Sequence, residues 1–297
     1  MSIGSQPCIL PPAPYTIVVR RLIFLLLLAC SLHPAWGQTV PSSGQDAPAL
    51  AGQALVNRAL ANELAAAQDA SQPMRYQLRK TSPRLTTTKE IVETSGGAVA
   101  RLVAVDDQPL SAARESAEEA RLHALLADPA RQRHRKLAED DDAARAVKVL
   151  RALPSAFLYQ DAGPADSAAG KVEKFTFRPN PAFSPPSLET EVLPAMRGEI
   201  WIDPARQRVA RLEAHLQQDV DFGWGILGRL YKGGWIEIDQ APVGQGQWRT
   251  TRFQMRMSGR IVVKTRVFDT TEWQTGYAPV PVGLTYQKAI DMLLDGK

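Results

Sequence analysis

Residues 198–216 read Gly-Glu-Ile-Trp-Ile-Asp-Pro-Ala-Arg-Gln-Arg-Val-Ala-Arg-Leu-Glu-Ala-His-Leu, two alternating runs joined by a turn. The first run ends at Asp203 and turns at Pro204, and the second run returns from Val209. On the returning run the apolar residues share one face: Ala210, Leu212, Ala214 and Leu216. The opposite face carries Arg211, Glu213 and His215. A period of two predicts an antiparallel hairpin with one buried face.

The same alternation recurs on both sides of this hairpin. Short strands are predicted at 74–79, 86–94, 98–105 and 172–177 before it, and at 236–238, 253–257 and 261–267 after it. Turns that contain glycine separate several of these runs, for example Ser95-Gly96-Gly97 and Gly244-Gln245-Gly246. Such spacing favours an antiparallel sheet in which each strand has one apolar face.

Helical periodicity appears in three places. Residues 49–68 have apolar positions at helical spacing, and Tyr286–Leu294 predicts a short helix in a C-terminal tail, 278–297. Residues 111–153 form a helical insertion between strands, with Ser111 as an N-cap and Pro129 opening a second helix. Asp140-Asp141-Asp142 predicts either the start or the reinforcement of a third helical stretch, 143–153, which Pro154 ends.

The N-terminus has the three parts of a secretory signal. Arg20-Arg21 precede an apolar run, Leu22–Ala29, and small residues at Ala35 and Gly37 predict cleavage after Gly37. The alternative is lipidation at Cys30 within Leu27-Leu-Ala-Cys30, which would anchor the chain in the outer membrane. Residues 1–37 are therefore interpreted as a signal peptide and 38–48 as a flexible linker. The predicted location is the periplasm.

Cleavage after Gly37 would also change the composition. Both cysteines would be lost, so the remaining chain would have no disulfide and no thiolate ligand. The formal net charge would fall from +4 to +2 with the loss of the two arginines. A balance so close to neutral gives no electrostatic reason to expect a nucleic-acid partner.

The order of elements, helix, three strands, helical insertion and further antiparallel strands, resembles the periplasmic lipoprotein-carrier superfamily (LolA/LolB-like). The resemblance covers roughly residues 50–275 and rests on two hairpins: the first is 198–213, and the second runs from Asp219-Val-Asp-Phe-Gly-Trp-Gly-Ile-Leu-Gly228 through Lys232-Gly-Gly234 to Gln247-Trp-Arg249. It identifies residues 49–277 as a divergent LolA/LolB-like domain. It implies an α+β fold: a strongly curved antiparallel sheet, or incomplete β-barrel, with helices packed on its concave face.

The resemblance further implies an apolar cavity for acyl chains between sheet and helices. Each buried methylene contributes about 0.8 kcal/mol, so such a site needs a continuous apolar wall. The candidate ligand-binding residues are Tyr76, Leu78, Phe175, Phe177, Leu212, Leu216, Ile236, Ile238, Phe253, Met255 and Met257. The alternative interpretation is that these side chains form a filled core, which the sequence does not distinguish from a cavity.

A second candidate surface is the run 221–227. Its glycines could leave large apolar side chains exposed in a loop, so a membrane or partner contact is predicted at Phe222, Trp224, Ile226 and Leu227. A tight structural turn is the alternative.

Motifs for catalysis are missing from the sequence. It contains no HExxH pair, no GxSxG elbow and no phosphate-binding or dinucleotide-binding loop, and we expect no metal and no cofactor. The sequence therefore favours an exported, non-enzymatic protein that binds a lipid or a lipidated protein. One alternative is a module that binds or senses envelope proteins through the charged helices at 111–153. Another is an enzyme whose site is assembled from distant strands.

Overall fold

A computed structural model describes residues 47–222, 228–261 and 264–296. The predicted signal peptide and most of the predicted linker lie outside these residues. The helices in the described part of the chain are α1 (Ala47–Gln68), α2 (Ala112–Ala127), α3 (Pro129–Ala156) and α4 (Tyr286–Asp295). None of them is both long enough and apolar enough to cross a bilayer.

The described strands belong to one antiparallel sheet. They are β1 (Met74–Ser82), β2 (Leu85–Val92), β3 (Val99–Val105), β4 (Gln108–Pro109), β5 (Phe157–Ser167), β6 (Gly170–Pro179), β7 (Met196–Asp203), β8 (Arg208–Leu216), β9 (Val220–Phe222), β10 (Gly228–Leu230), β11 (Trp235–Pro242), β12 (Trp248–Ile261) and β13 (Lys264–Pro279). Their order is β4-β3-β2-β1-β13-β12-β11-β8-β7-β6-β5, and β10 joins β9 to the far end of β12. The sheet is curved and does not close, and the predicted α+β architecture is confirmed.

The hairpin 198–216 forms as predicted, as β7 and β8. Asp203 ends β7 because its Oδ1 accepts hydrogen bonds from the backbone N–H groups of Ala205 and Arg206, both at 2.9 Å. Gly198 is needed because the carbonyl of Glu213 on β8 comes too close for any Cβ. A larger residue at 198 would push the two strands apart.

One detail of the predicted alternation is wrong at this hairpin. The register shifts between Trp201 and Ile202, so that Trp201 pairs with Arg211 while Ile202 pairs with Val209. This bulge adds one residue on β8, and Ala210 packs with Val172 and Trp248, away from the main core around Leu216. Val209 lies in the main core in its place.

The predicted helix boundaries inside 111–153 also need correction. Residues 140–142 lie in the middle of α3 and do not start a helix. Two of the three carboxylates are paired within the helix, Asp140 with Lys136 and Asp142 with Arg145. Pro154 lies inside the last turn and does not end the helix.

The helices pack in two groups on opposite faces of the sheet, with α1 and α3 over the central strands and α2 and α4 at the β2–β3 end. Helices α1 and α3 bury the main core against β5–β8, β11 and β12, where Val56, Ile200 and Phe253 are at most 1% exposed. Helices α2 and α4 bury a second cluster against β2 and β3, around Val99 and Ile290. The predicted C-terminal helix is confirmed as α4, and its packing makes the tail part of the same folded unit.

Candidate functional site

A cavity of about 110 Å³ lies between α3 and the covered face of the sheet. Its walls consist of aliphatic, methionine and aromatic side chains: Ala146, Val149, Leu150, Leu153, Phe157, Tyr159, Phe177, Val192, Leu193, Met196, Ile200, Leu212, Ala214, Leu230, Ile236, Ile238, Met255 and Met257. An engineered apolar cavity of about 150 Å³ stays dry and binds benzene. The present cavity is slightly smaller, and its walls offer a ligand apolar surface only.

Incomplete packing is visible on the floor of this cavity. Leu212 and Ile238 face each other across the central strands β8 and β11, on the side that α1 and α3 cover. Both are only half-buried, whereas Ile200, the partner of Leu212 on β7, is 1% exposed. Side chains in the middle of a filled core would be fully buried. The space above Leu212 and Ile238 is therefore not filled by α3.

The sequence predicted six of the residues that line the cavity: Phe177, Leu212, Ile236, Ile238, Met255 and Met257. It missed the wall that α3 provides. Ala146, Val149, Leu150 and Leu153 follow one another at spacings of three, one and three residues, which places them on one face of a helix. This spacing could have been recognised in the sequence, because the residues lie in a predicted helix.

Three other predicted residues are core residues that do not line the cavity. Phe175, Leu216 and Phe253 are at most 2% exposed and belong to the main hydrophobic cluster. Phe175 is covered by α1, whose Gly52 leaves room for the ring: a Cβ there would lie 2.9 Å from Cε1 of Phe175.

Tyr76 and Leu78 lie in a different cluster, away from the cavity. Both residues belong to β1 and pack with Ile91, Ala98 and Ala100. The Tyr76 ring stacks on Tyr277 with 5.0 Å between the ring centroids. Burial raises the pKa of Tyr76 well above its usual value, and the nearby Glu93 carboxyl adds to the effect. These residues alternate like the cavity residues, but they belong to a cluster separate from the one beside the cavity.

The predicted contact surface at 221–227 is described only in part. Phe222 is 2% exposed and belongs to the main core, so its predicted role as an exposed contact residue is wrong. The alternation of β9 buries it: Asp221 faces solvent and pairs with Arg229, with 2.6 Å between Oδ1 and Nε. Trp224, Ile226 and Leu227 lie outside the described residues.

Helix α3 is attached to the rest of the fold by polar contacts on either side of the cavity. Near its start, Gln132 Nε2 donates to the carbonyl of Gly96 at 2.7 Å, and Glu139 Oε2 accepts from the N–H of Ala98 at 3.1 Å. Near its end, the Tyr159 hydroxyl donates to the carbonyl of Leu153 at 3.0 Å. Burial raises the pKa of Tyr159, which keeps this donor protonated. The apolar segment 146–153 lies between these attachments.

The opposite face of the sheet carries a wide, open groove of about 970 Å³. At its centre Arg211 and Arg252 bind both oxygens of Glu237 and both oxygens of Asp239, at N···O distances of 2.9 to 3.4 Å. These four side chains form a ring of ion pairs, and Arg211 also binds Glu213 Oε2 at 3.3 Å. Within the described residues, no group of three or more His, Cys, Asp or Glu side chains could hold a metal ion.

Comparison with known proteins gives two distant structural neighbours. The chain is similar to a DUF1329 family protein from Desulfovibrio piger, with a TM-score of 0.32, 11% identity and coverage of 80% of this chain and 95% of that chain. It is also similar to a domain from Vibrio parahaemolyticus that is named for outer membrane lipoprotein sorting, with a TM-score of 0.30, 9% identity and coverage of 82% and 100%. No family model matches the sequence, and no curated protein matches it. Likenesses this distant carry no argument about a ligand or an activity.

Proposed function

We propose that this protein binds a single apolar chain, of the acyl type, between α3 and the covered face of the sheet. The observation that supports this most is the half-burial of Leu212 and Ile238 at the floor of an apolar cavity. The lining residues extend from β5 to β12, six neighbouring strands, and this corresponds to about 24 Å at roughly 4.8 Å per strand. That length suits an extended acyl chain.

The energy of binding follows from the buried area. Ten methylenes moved out of water contribute about 8 kcal/mol before the costs of association are subtracted. The present volume of about 110 Å³ is too small for a whole chain, so α3 has to move away from the sheet. Met255 and Met257 in the wall are unbranched and adapt to a ligand of variable shape.

The cellular setting of this proposal rests on the sequence. The signal-like N-terminus supports a location outside the cytoplasm, with a lipid or a lipidated protein of the cell envelope as the partner. A module that captures proteins through 111–153 gains no support from the contacts of those helices. Several of their charges are used inside the fold: Glu118 accepts from the N–H of Leu102 at 2.8 Å, and Arg121 donates to the carbonyl of Ala100 at 2.6 Å.

The test is titration with 11-(dansylamino)undecanoic acid, whose emission rises when the probe leaves water. The blocking variant is Ala146→Leu. Ala146 is 5% exposed and lines the cavity, so the three carbons that leucine adds would fill most of the cavity. The matched control is Ala144→Leu, the same change on an exposed position of the same helix.

We expect saturable binding by the wild type and by Ala144→Leu, and at least about tenfold weaker binding by Ala146→Leu, a loss of roughly 1.4 kcal/mol. Thermal unfolding of the three proteins checks that they are all folded. Equal probe binding by Ala146→Leu and the wild type, or no saturable binding by folded wild type, would reject the proposal.

A further inference from the structure

The open groove on the sheet face opposite the apolar cavity has an aromatic side chain towards each end of one row. Trp201 on β7 and Trp273 on β13 both line it, with the ring of Arg211, Glu237, Arg252 and Asp239 between them. The row is continuous in register: Trp201 pairs with Arg211, Arg211 with Asp239, Asp239 with Arg252, and Arg252 with Trp273. Four strand spacings of roughly 4.8 Å separate the two indoles by about 19 Å along the sheet.

Both indoles are held in place by a neighbouring guanidinium. Arg211 lies over the Trp201 ring at 4.5 Å, and Arg79 lies over the Trp273 ring at 4.9 Å from the centroid. Arg79 is itself fixed by two 2.7 Å hydrogen bonds to Asp107. Both rings are half-buried, so part of each indole is open to the groove. The structure therefore holds two indoles in fixed positions, and the part of each ring that its guanidinium leaves uncovered is apolar surface open to the groove.

The floor between the indoles selects against anionic ligands. Arg211 and Arg252 are paired with Glu237 and Asp239, and Arg211 also binds Glu213 at 3.3 Å, which leaves neither guanidinium free to attract an anion. The same groups still present N–H donors next to carboxylate acceptors. Two neighbouring hydroxyls of a ligand can accept hydrogen bonds from the guanidinium N–H groups and donate hydrogen bonds to the carboxylates at the same time.

We propose that this groove binds a neutral oligosaccharide of about four pyranose rings, a number that matches the spacing of the two indoles. A pyranose ring has an apolar face, which stacks on an indole, and a rim of hydroxyls, which matches the floor. A proline-rich peptide would also stack on tryptophan, but its prolines have no N–H to donate to the carboxylates of the floor. The groove is on the other side of the sheet from the apolar cavity, so both sites can be occupied together.

The test is titration of the full chain with cellotetraose, maltotetraose and chitotetraose, followed by intrinsic tryptophan fluorescence and by calorimetry. At least one tetrasaccharide is expected to bind saturably, and Trp273→Ala is expected to weaken it at least about tenfold. Trp235→Ala is the matched control, because Trp235 is on the same face of the sheet but does not line the groove.

A second variant avoids removing any packed side chain. Thr275 is exposed and lines the groove, so Thr275→Lys adds bulk and an unpaired charge without changing the core. It is expected to weaken binding of the same tetrasaccharide while the melting temperature stays unchanged. The proposal is overturned if no tetrasaccharide binds the folded wild type, if Trp273→Ala and Thr275→Lys both bind like wild type, or if only a proline-rich decapeptide binds.

Discussion

The two halves of α3 contact the sheet in different ways. In the first half the buried residues are polar, Gln132, Glu139 and Asp142, and two of them bind backbone groups at the start of β3. In the second half the buried residues are apolar, and it is here that the cavity lies. Hydrogen bonds need one fixed geometry, whereas apolar contacts have no preferred direction. One helix therefore combines a fixed end with a segment that can move to admit a ligand.

The largest expected effect distinguishes the filled part of the core from the cavity wall. Ile202 is 0% exposed and does not line the cavity, whereas Ile236 is 5% exposed and does. We expect Ile202→Ala to lower the free energy of unfolding by about 4 kcal/mol and Ile236→Ala by about 2 kcal/mol, because part of the Ile236 side chain already borders empty space. Urea denaturation measures both, and equal losses would mean that the wall is as tightly packed as the core.

The next effect concerns the polar half of α3. Glu139→Ala leaves the buried N–H of Ala98 without its acceptor, and we expect a loss of about 2 kcal/mol in the free energy of unfolding. Glu139→Gln keeps an acceptor oxygen and is expected to lose less than half of that. Binding of the dansyl probe should stay within about twofold of wild type, since Glu139 does not line the cavity. A probe affinity that fell tenfold would show that the two halves do not act separately.

A smaller effect is expected at the end of α3. Tyr159→Phe removes the hydrogen bond to the carbonyl of Leu153 and should lower the free energy of unfolding by about 1 kcal/mol. Because it frees the helix end next to the cavity, stopped-flow mixing should also show faster association of the probe. An unchanged association rate would indicate that the part of α3 that moves is not its end near Leu153.

The smallest effect is a dependence on pH in the part of the sheet that carries Tyr76. Desolvation raises the pKa of Glu93, whose Oε2 accepts from the N–H of Met74 at 3.0 Å. A carboxyl with a raised pKa in the folded state binds its proton more tightly there than when unfolded. Stability is therefore expected to fall as the pH rises through the ordinary range of a glutamate and up to the raised value. Glu93→Gln should reduce this fall in urea titrations at several pH values, and an unchanged profile would assign it to other groups.

Part of this structure could be predicted from the sequence, and part of it could not. Alternation is local, so the faces of β11, of β12 and of β8 from Leu212 onward were predicted correctly, including Leu212, Ile238 and Met257. Which helix covers a face depends on contacts between distant segments. For that reason Tyr76 and Leu78 could not be separated from the cavity residues, although they alternate in the same way.

Two of the predictions were wrong for physical reasons that the pattern of apolar and charged residues in the sequence does not reveal. The bulge at Trp201 moved Ala210 out of the main core, and no residue type in that stretch marks where an extra residue will be placed. The acidic run 140–142 looked like a helix start, but ion pairs with Lys136 and Arg145 let it remain inside α3. The wall formed by Ala146 and Val149, by contrast, could have been identified from spacing alone.

The most direct measurement is nuclear magnetic resonance of the protein with ¹³C-labelled methionine methyl groups and bound palmitate. Met196, Met255 and Met257 line the cavity, whereas Met74 and Met292 are elsewhere and serve as internal controls. The proposed binding mode predicts intermolecular Overhauser effects from the palmitate chain to the first three methyl groups and none to the other two. Effects confined to Met74 or Met292, or saturable palmitate binding with no effect at Met255 and Met257, would contradict it.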